Sequence, residues 1–302
     1  MSKIEAFNHR LNQSYQRPQH TGNEFRDQVD MSLRSLIRTL SSKSRACIIG
    51  AGKCKDFSLP IFIEHFSHVV LTDVDLVSIQ EWDKYQHTVQ IKQVEYTGFD
   101  DALFFEDFKA RVATTQSYEK LDQILQQKLS PIVEYRFLEE EFHRHDVVYV
   151  SPIYTQLVYQ QFLLECSELR SHGYPEHLLK YLEEKMLEEM PAIIDRFNDN
   201  VLQLLKKDGY LMVLSDIFEL NNGSDFYLRV KNGIKSKDVM DEIYEGYVNK
   251  YGIGLGDYGL YNLDEKVVEQ RSKWLFWPFS EERSFAVKMK IYKNTQTKGG
   301  TL

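Results

Sequence analysis

Apolar residues in this chain fall into short continuous runs separated by longer stretches with helical spacing, which predicts strands alternating with helices. The run 46–49 is fully apolar and reads as a central strand of a parallel sheet, covered on both faces. Residues 56–67 carry Phe57, Leu59, Ile61, Phe62 and Phe66 on one helical face. Residues 69–72 form the next strand, 76–85 the next helix, and 89–96 a third strand ending in Thr97 and Gly98. From Asp100 to His145 the pattern turns helical and charged, long for a single crossover, so a helical insertion is expected over about 101–145. Strand 146–150 ends in Ser151-Pro-Ile-Tyr154, two long helices follow over 155–172 and 175–207, and a turn at Gly209 leads into a fifth strand. Residues 221–265 are rich in Gly, Asn and Asp and read as loops with one short helix. The segments 273–277 and 284–292 then pair as a hairpin. Upstream, 1–22 reads as a loosely held arm, and Asn23 caps a helix running to Leu40.

The chemistry gathers where the first strand ends. Gly50 and Gly52 lack Cβ atoms, so the backbone can turn tightly there and a ligand can approach it closely. The following strand ends in Asp73 and Asp75, either of which suits the two hydroxyls of a ribose. A nucleoside-bearing cofactor is the reading. A dinucleotide site wants G-x-G-x-x-G, and the last of those places holds Lys55. The G-x-G-x-G turn used for S-adenosylmethionine needs no pyrophosphate cradle, and here it ends in the small Cys54.

The Gly50-x-Gly52 turn, the acid at Asp73 and the leucine–lysine–Asp-Gly approach to the fifth strand occur in an order that resembles the class I S-adenosylmethionine-dependent methyltransferases, over about residues 45–292. The resemblance implies an α/β, Rossmann-like seven-stranded sheet with helices on both faces, a C-terminal antiparallel strand pair and an N-terminal helical extension. Residues 1–44 would form the arm and helix, and 45–302 the methyltransferase-like domain. By position, the backbone of Gly50, Ala51 and Gly52 would run beside the methionine end of the cofactor. Asp73, with Asp75 as its rival, would hold the ribose, and Thr97, Gly98 and Asp100 would lie by the adenine. Ser151 and Tyr154 would face the transferred methyl and form the catalytic pair, since amino-methyltransferases use a D/N/S-P-P-aromatic turn here; this chain has Ile153 for the second proline. The family's acid two residues before the first glycine is Ile48. Asp216, Tyr258 and Tyr261 stand where substrate groups bind, and Trp277 near a substrate entrance.

Composition narrows the partners. With 302 residues, 42% hydrophobic and 27% charged, the chain has an ordinary globular make-up. A net charge of −8 disfavours duplex nucleic acid, whose phosphates need clustered Lys and Arg. No apolar run approaches a membrane span, the N-terminus lacks an apolar secretory core, and three dispersed cysteines suit a reducing cytoplasm. The His143-Arg-His145 segment reads as a charged lead-in to a strand rather than a metal site. The expectation is therefore a cytoplasmic enzyme that transfers methyl from S-adenosylmethionine to a small molecule, its oligomeric state open. The rivals are a catalytically silent binding module on the same fold and a nicotinamide-dependent oxidoreductase.

Overall fold

A computed structural model describes residues 2–14, 24–99 and 102–295. In chain order the elements are α1 (Lys3–Ser14), α2 (Glu24–Thr39), β1 (Arg45–Ile49), α3 (Leu59–His65), β2 (His68–Asp73), α4 (Leu76–Ile79), β3 (Val89–Gln93), α5 (Asp107–Val112) and α6 (Tyr118–Leu129). They continue with β4 (His145–Val150), α7 (Tyr159–Ser171), α8 (Glu176–Leu204), β5 (Leu205–Asn221), α9 (Asp225–Gly233), α10 (Lys237–Tyr251), α11 (Leu255–Lys266), β6 (Val268–Pro278) and β7 (Arg283–Lys293).

One seven-stranded sheet runs β3-β2-β1-β4-β5-β7-β6. The first five strands pair in parallel, and β7 lies antiparallel between β5 and β6. This is the Rossmann-like methyltransferase arrangement that the resemblance implied. Alternate residues of each central strand serve opposite faces, as the pleat requires. Cys47, Ile49, Val148, Val150, Leu211 and Val213 pack into the core under α5 to α8 and α11. Ala46, Ile48, Val147, Tyr149, Met212 and Leu214 pack into the core under α2 and α3. A third, smaller core around Phe218, Trp274 and Ile243 joins the outer ends of β5 and β6 to α9 and α10.

Two expectations change. Residues 3–14 are a docked helix, with Ile4 in the core and the Lys3 ammonium 2.8 Å from Glu165, a carboxylate 1% exposed at its side chain. A polar helix of this kind is held by long-range ion pairing, which its own sequence does not display. Residues 221–265 hold three helices rather than one, α9 and α10 being capped by the side chains of Ser224 and Ser236. The proposed cap at Asn23 lies outside the described residues. Among the described residues no helix is long and apolar enough to cross a membrane.

Candidate active site

The turn after β1 has an alternating backbone, with φ of +69° at Gly50, +49° at Gly52 and +50° at Cys54. Left-handed φ is natural for glycine and costly for Cys54, which stands where a third glycine would relieve it. Neighbours hold the amides of this turn. Gly50 N–H donates to the Tyr96 hydroxyl (3.0 Å), Ala51 N–H to the Thr72 carbonyl (3.0 Å), Gly52 N–H to Asp73 Oδ2 (2.7 Å) and Cys54 N–H to the Ala51 carbonyl (2.8 Å). The N-terminus of α3 is likewise taken, since the Asp30 carboxylate accepts the Ser58 N–H at 2.8 Å. A pyrophosphate needs such N–H groups free to point at it. The turn therefore offers close backbone approach without a phosphate cradle.

A cavity of about 470 Å³ opens beside this turn, at the C-terminal ends of β1, β4 and β5. Its volume lies in the usual small-molecule range of about 300–1,000 Å³. Gly50, Ala51 and Gly52 line one end, and Ser151 and Asp56 lie with them. Asp56 Oδ2 accepts from the Tyr149 and Ser151 hydroxyls, each at 3.0 Å. Burial pushes this carboxyl up to about 6, only partly offset by those two hydroxyls. The far end is formed by Asp216, Ile217, Trp277, Phe279 and Phe285. Asp216 Oδ2 accepts from the Thr155 hydroxyl (2.9 Å), and burial raises this carboxyl also to about 6.

The predicted residues divide. Gly50, Ala51, Gly52 and Ser151 come together on the cavity wall. Asp73 is buried behind the turn, where its oxygens accept from Gly52 N–H and from Asp75 N–H (2.8 Å). Asp75 caps α4 through Ser78 and accepts from Asn12 (3.0 Å) and His9 (3.1 Å) of α1, so it anchors that helix instead of facing the cavity. Thr97 and Gly98 donate their N–H groups to Glu95, and the Tyr135 ring covers Gly98. Asp100 lies outside the described residues. Tyr154 turns into the core, 1% exposed, its hydroxyl donating to Asn198 Oδ1 at 2.8 Å. Its ring lies against α11, where an added Cβ at Gly259 would sit 2.5 Å away. Ile48 is fully buried in the sheet core, so the acid of the family pattern has no counterpart at that position.

Sequence reading missed Asp56. Its partners Tyr149 and Ser151 are 93 and 95 residues away, so no local spacing reveals that it is buried beside the turn. The charged lead-in to β4 is an ion-pair group at the opposite end of the strands, built on Glu141 and His145. Glu141 meets Arg45 and Lys92, each at 2.8 Å, and His145 at 3.3 Å.

No protein-family model matches the chain, and no curated protein does. Solved structures match its chain path. The N-methyltransferase NodS from Bradyrhizobium japonicum, in complex with S-adenosyl-L-homocysteine, is 11% identical with a TM-score of 0.49, over 97% of this chain and 100% of that one. A S-adenosylmethionine-dependent methyltransferase from Leishmania major is 11% identical with a TM-score of 0.45, over 96% and 83%. A third, from Methanosarcina mazei, is 9% identical with a TM-score of 0.42, over 87% and 98%. At these distances the likeness adds nothing to the observed strand order, on which the methyltransferase fold rests.

Proposed function

We propose that the protein transfers a methyl group from S-adenosylmethionine to a small molecule. The observation that carries this reading is the pairing of a glycine turn whose amides are already bonded with the buried carboxyl of Asp56 in the same cavity. Bonded amides leave a pyrophosphate without a cradle, while the buried Asp56 carboxyl beside the turn suits a cation, and the cofactor carries two, an ammonium and a sulfonium. Asp56 thus stands in for the acid missing at Ile48. When bound, the cofactor supplies an electrophilic methyl, so the chain has mainly to align the acceptor with it.

The residues take their roles from these positions. The backbone of Gly50 to Gly52 passes the methionine end, and Asp56 binds its ammonium. Asp73 keeps the turn in shape, and each of its oxygens, having accepted one backbone N–H, retains lone-pair capacity for a ribose hydroxyl. Ser151 positions the acceptor on the β4 side, and Tyr154 supports that turn from behind. The adenine end is assigned to the segment after β3 that carries Thr97 and Gly98.

Titration calorimetry tests the cofactor class. S-adenosylhomocysteine is expected to bind the wild type at micromolar concentration, to lose at least tenfold in affinity with Asp73→Ala, and NADH to give no heat. Binding of NADH in place of the sulfur nucleoside would reverse the assignment. Cofactor binding without turnover on any acceptor would instead favour the silent binding module, the reading that Ile48 supports.

A further inference from the structure

We infer that the methyl acceptor is a protonated amine, seated between Asp216 and the aromatic wall of β6 and β7. The inference rests on the methyl-transfer reading above and assigns its substrate class.

The far end of the cavity is built for this. The pairing of β5 with β7 runs Asp216 to Val287 and then Phe218 to Ala286, so Ile217 is an extra residue in a bulge. A bulge re-aims side chains, and both Asp216 and Ile217 line the cavity as a result. Asp216 Oδ2 accepts from Thr155, while Oδ1 lies just beneath the cavity surface, closed to solvent and without a hydrogen-bond partner, so that a turn of the carboxyl would present it to a donor in the cavity. Such an acceptor calls for a donor. Trp277, Phe279 and Phe285 line the same cavity, Phe279 packing edge to face on both others, with centroids 5.2 Å apart for Trp277–Phe279 and 5.3 Å for Phe279–Phe285. Ring faces attract cations. Of the charged residues that also line the cavity, Glu219 pairs with Arg283 at 3.3 Å, Arg283 lies 5.9 Å from the Phe279 ring centroid, Lys53 bonds Gln13 at 2.9 Å, and Lys55 completes the set.

Three acceptor classes can be compared. A carboxylate seated against Asp216 meets a like charge. An alcohol donates one hydrogen bond and carries no charge for the rings. An ammonium donates up to three and carries the charge that both walls favour. It also explains a carboxylate at this place chemically. Asp216 takes one N–H proton and frees the nitrogen lone pair. That pair forms the N–C bond as the methyl carbon's bond to the donor sulfur breaks, its electrons passing to sulfur. The proton then leaves Asp216 for water at the cavity mouth, and the methylated amine departs as an ammonium.

The test uses the full chain saturated with S-adenosylhomocysteine and three probes of one shape, benzylamine, benzyl alcohol and benzoate, titrated by calorimetry. Benzylamine is expected to bind at least tenfold more tightly than the alcohol, and benzoate more weakly than either. Asp216→Asn should abolish that preference and leave the affinity for S-adenosylhomocysteine within about twofold. Thr155→Val, which keeps the charge, should retain the preference and serves if Asp216→Asn fails to fold. Equal binding of amine and alcohol, or an amine preference that survives Asp216→Asn, would overturn the inference. If S-adenosylhomocysteine itself does not bind, the methyl-transfer reading fails, and the same titrations on the free protein still decide whether this end of the cavity selects an amine.

Discussion

Asp56→Asn is expected to weaken S-adenosylhomocysteine binding about 10- to 100-fold at pH 7.5 while raising the melting temperature. The amide keeps an oxygen for the Tyr149 and Ser151 hydroxyls, so the local geometry is retained and only the charge is lost. A hydrogen bond to a charged group is worth about 1.5–3 kcal/mol, which sets the expected loss in affinity. The gain in stability follows from the same burial. Asp56 titrates near 6 in the fold, above the ordinary carboxylate value, so folding favours its protonated form. That contribution is fully present below about pH 4 and is lost as pH rises through about 6. At neutral pH the wild type therefore carries a penalty of up to about 3 kcal/mol that the amide avoids. The two proteins should converge in stability below about pH 4. Asp73 titrates in the same window, but it is common to both proteins, and the difference between them isolates Asp56. A variant that binds S-adenosylhomocysteine as tightly as the wild type at pH 7.5 would remove Asp56 from the cofactor site.

Gly259→Ala is expected to cost about 2–3 kcal/mol in stability and to lower turnover together with it. The added methyl would lie 2.5–2.6 Å from three atoms of the Tyr154 ring. Those atoms have no room to retreat, because Tyr154 is buried against Phe197 and its hydroxyl is held by Asn198. Asn198 in turn donates to the Gly259 carbonyl (3.0 Å) and to Asn262 Oδ1 (2.9 Å), so hydrogen bonds tie the Tyr154 ring, α8 and α11 together. Overpacking of such a unit typically costs about 1–3 kcal/mol. The strain would pass through Tyr154 to the Ser151 turn on the cavity wall. Tyr154→Phe is the matching control: it keeps the ring and should leave kcat within about threefold. A large loss of kcat with intact stability in Tyr154→Phe would restore Tyr154 to direct contact with the substrate.

The parts of this protein that were legible in its sequence are those fixed by local pattern. The apolar run of β1, the helical face of α3 and the glycine turn each follow from backbone or side-chain periodicity within a dozen residues. The parts that were not legible depend on contacts across the chain. Helix α1 is polar, and what docks it is Glu165 and Asp75, 162 residues beyond Lys3 and 66 beyond His9. Asp56 looks like a helix-leading acid until Tyr149 and Ser151 fold over it. Tyr154 matched a substrate-facing motif by position, but Gly259 leaves room for its ring in the core, and the ring goes there. The three helices between Asn221 and Val268 were obscured by Gly and Asn, although Ser224 and Ser236 were readable as caps. Binary pattern finds elements; tertiary hydrogen bonding decides which side chains reach the cavity.

Trp277 turns the cavity wall into an optical instrument. It lines the cavity and stacks on Phe25 of α2 at 5.0 Å, with the rings within 9° of parallel. The other two tryptophans sit elsewhere, Trp274 beneath Lys288 and Trp82 beside Lys84. With only three indoles in the chain, the intrinsic emission of Trp277 can be isolated by replacing the other two with phenylalanine. Occupants that contact the Trp277 ring should then change its emission intensity or wavelength, in real time and without a label.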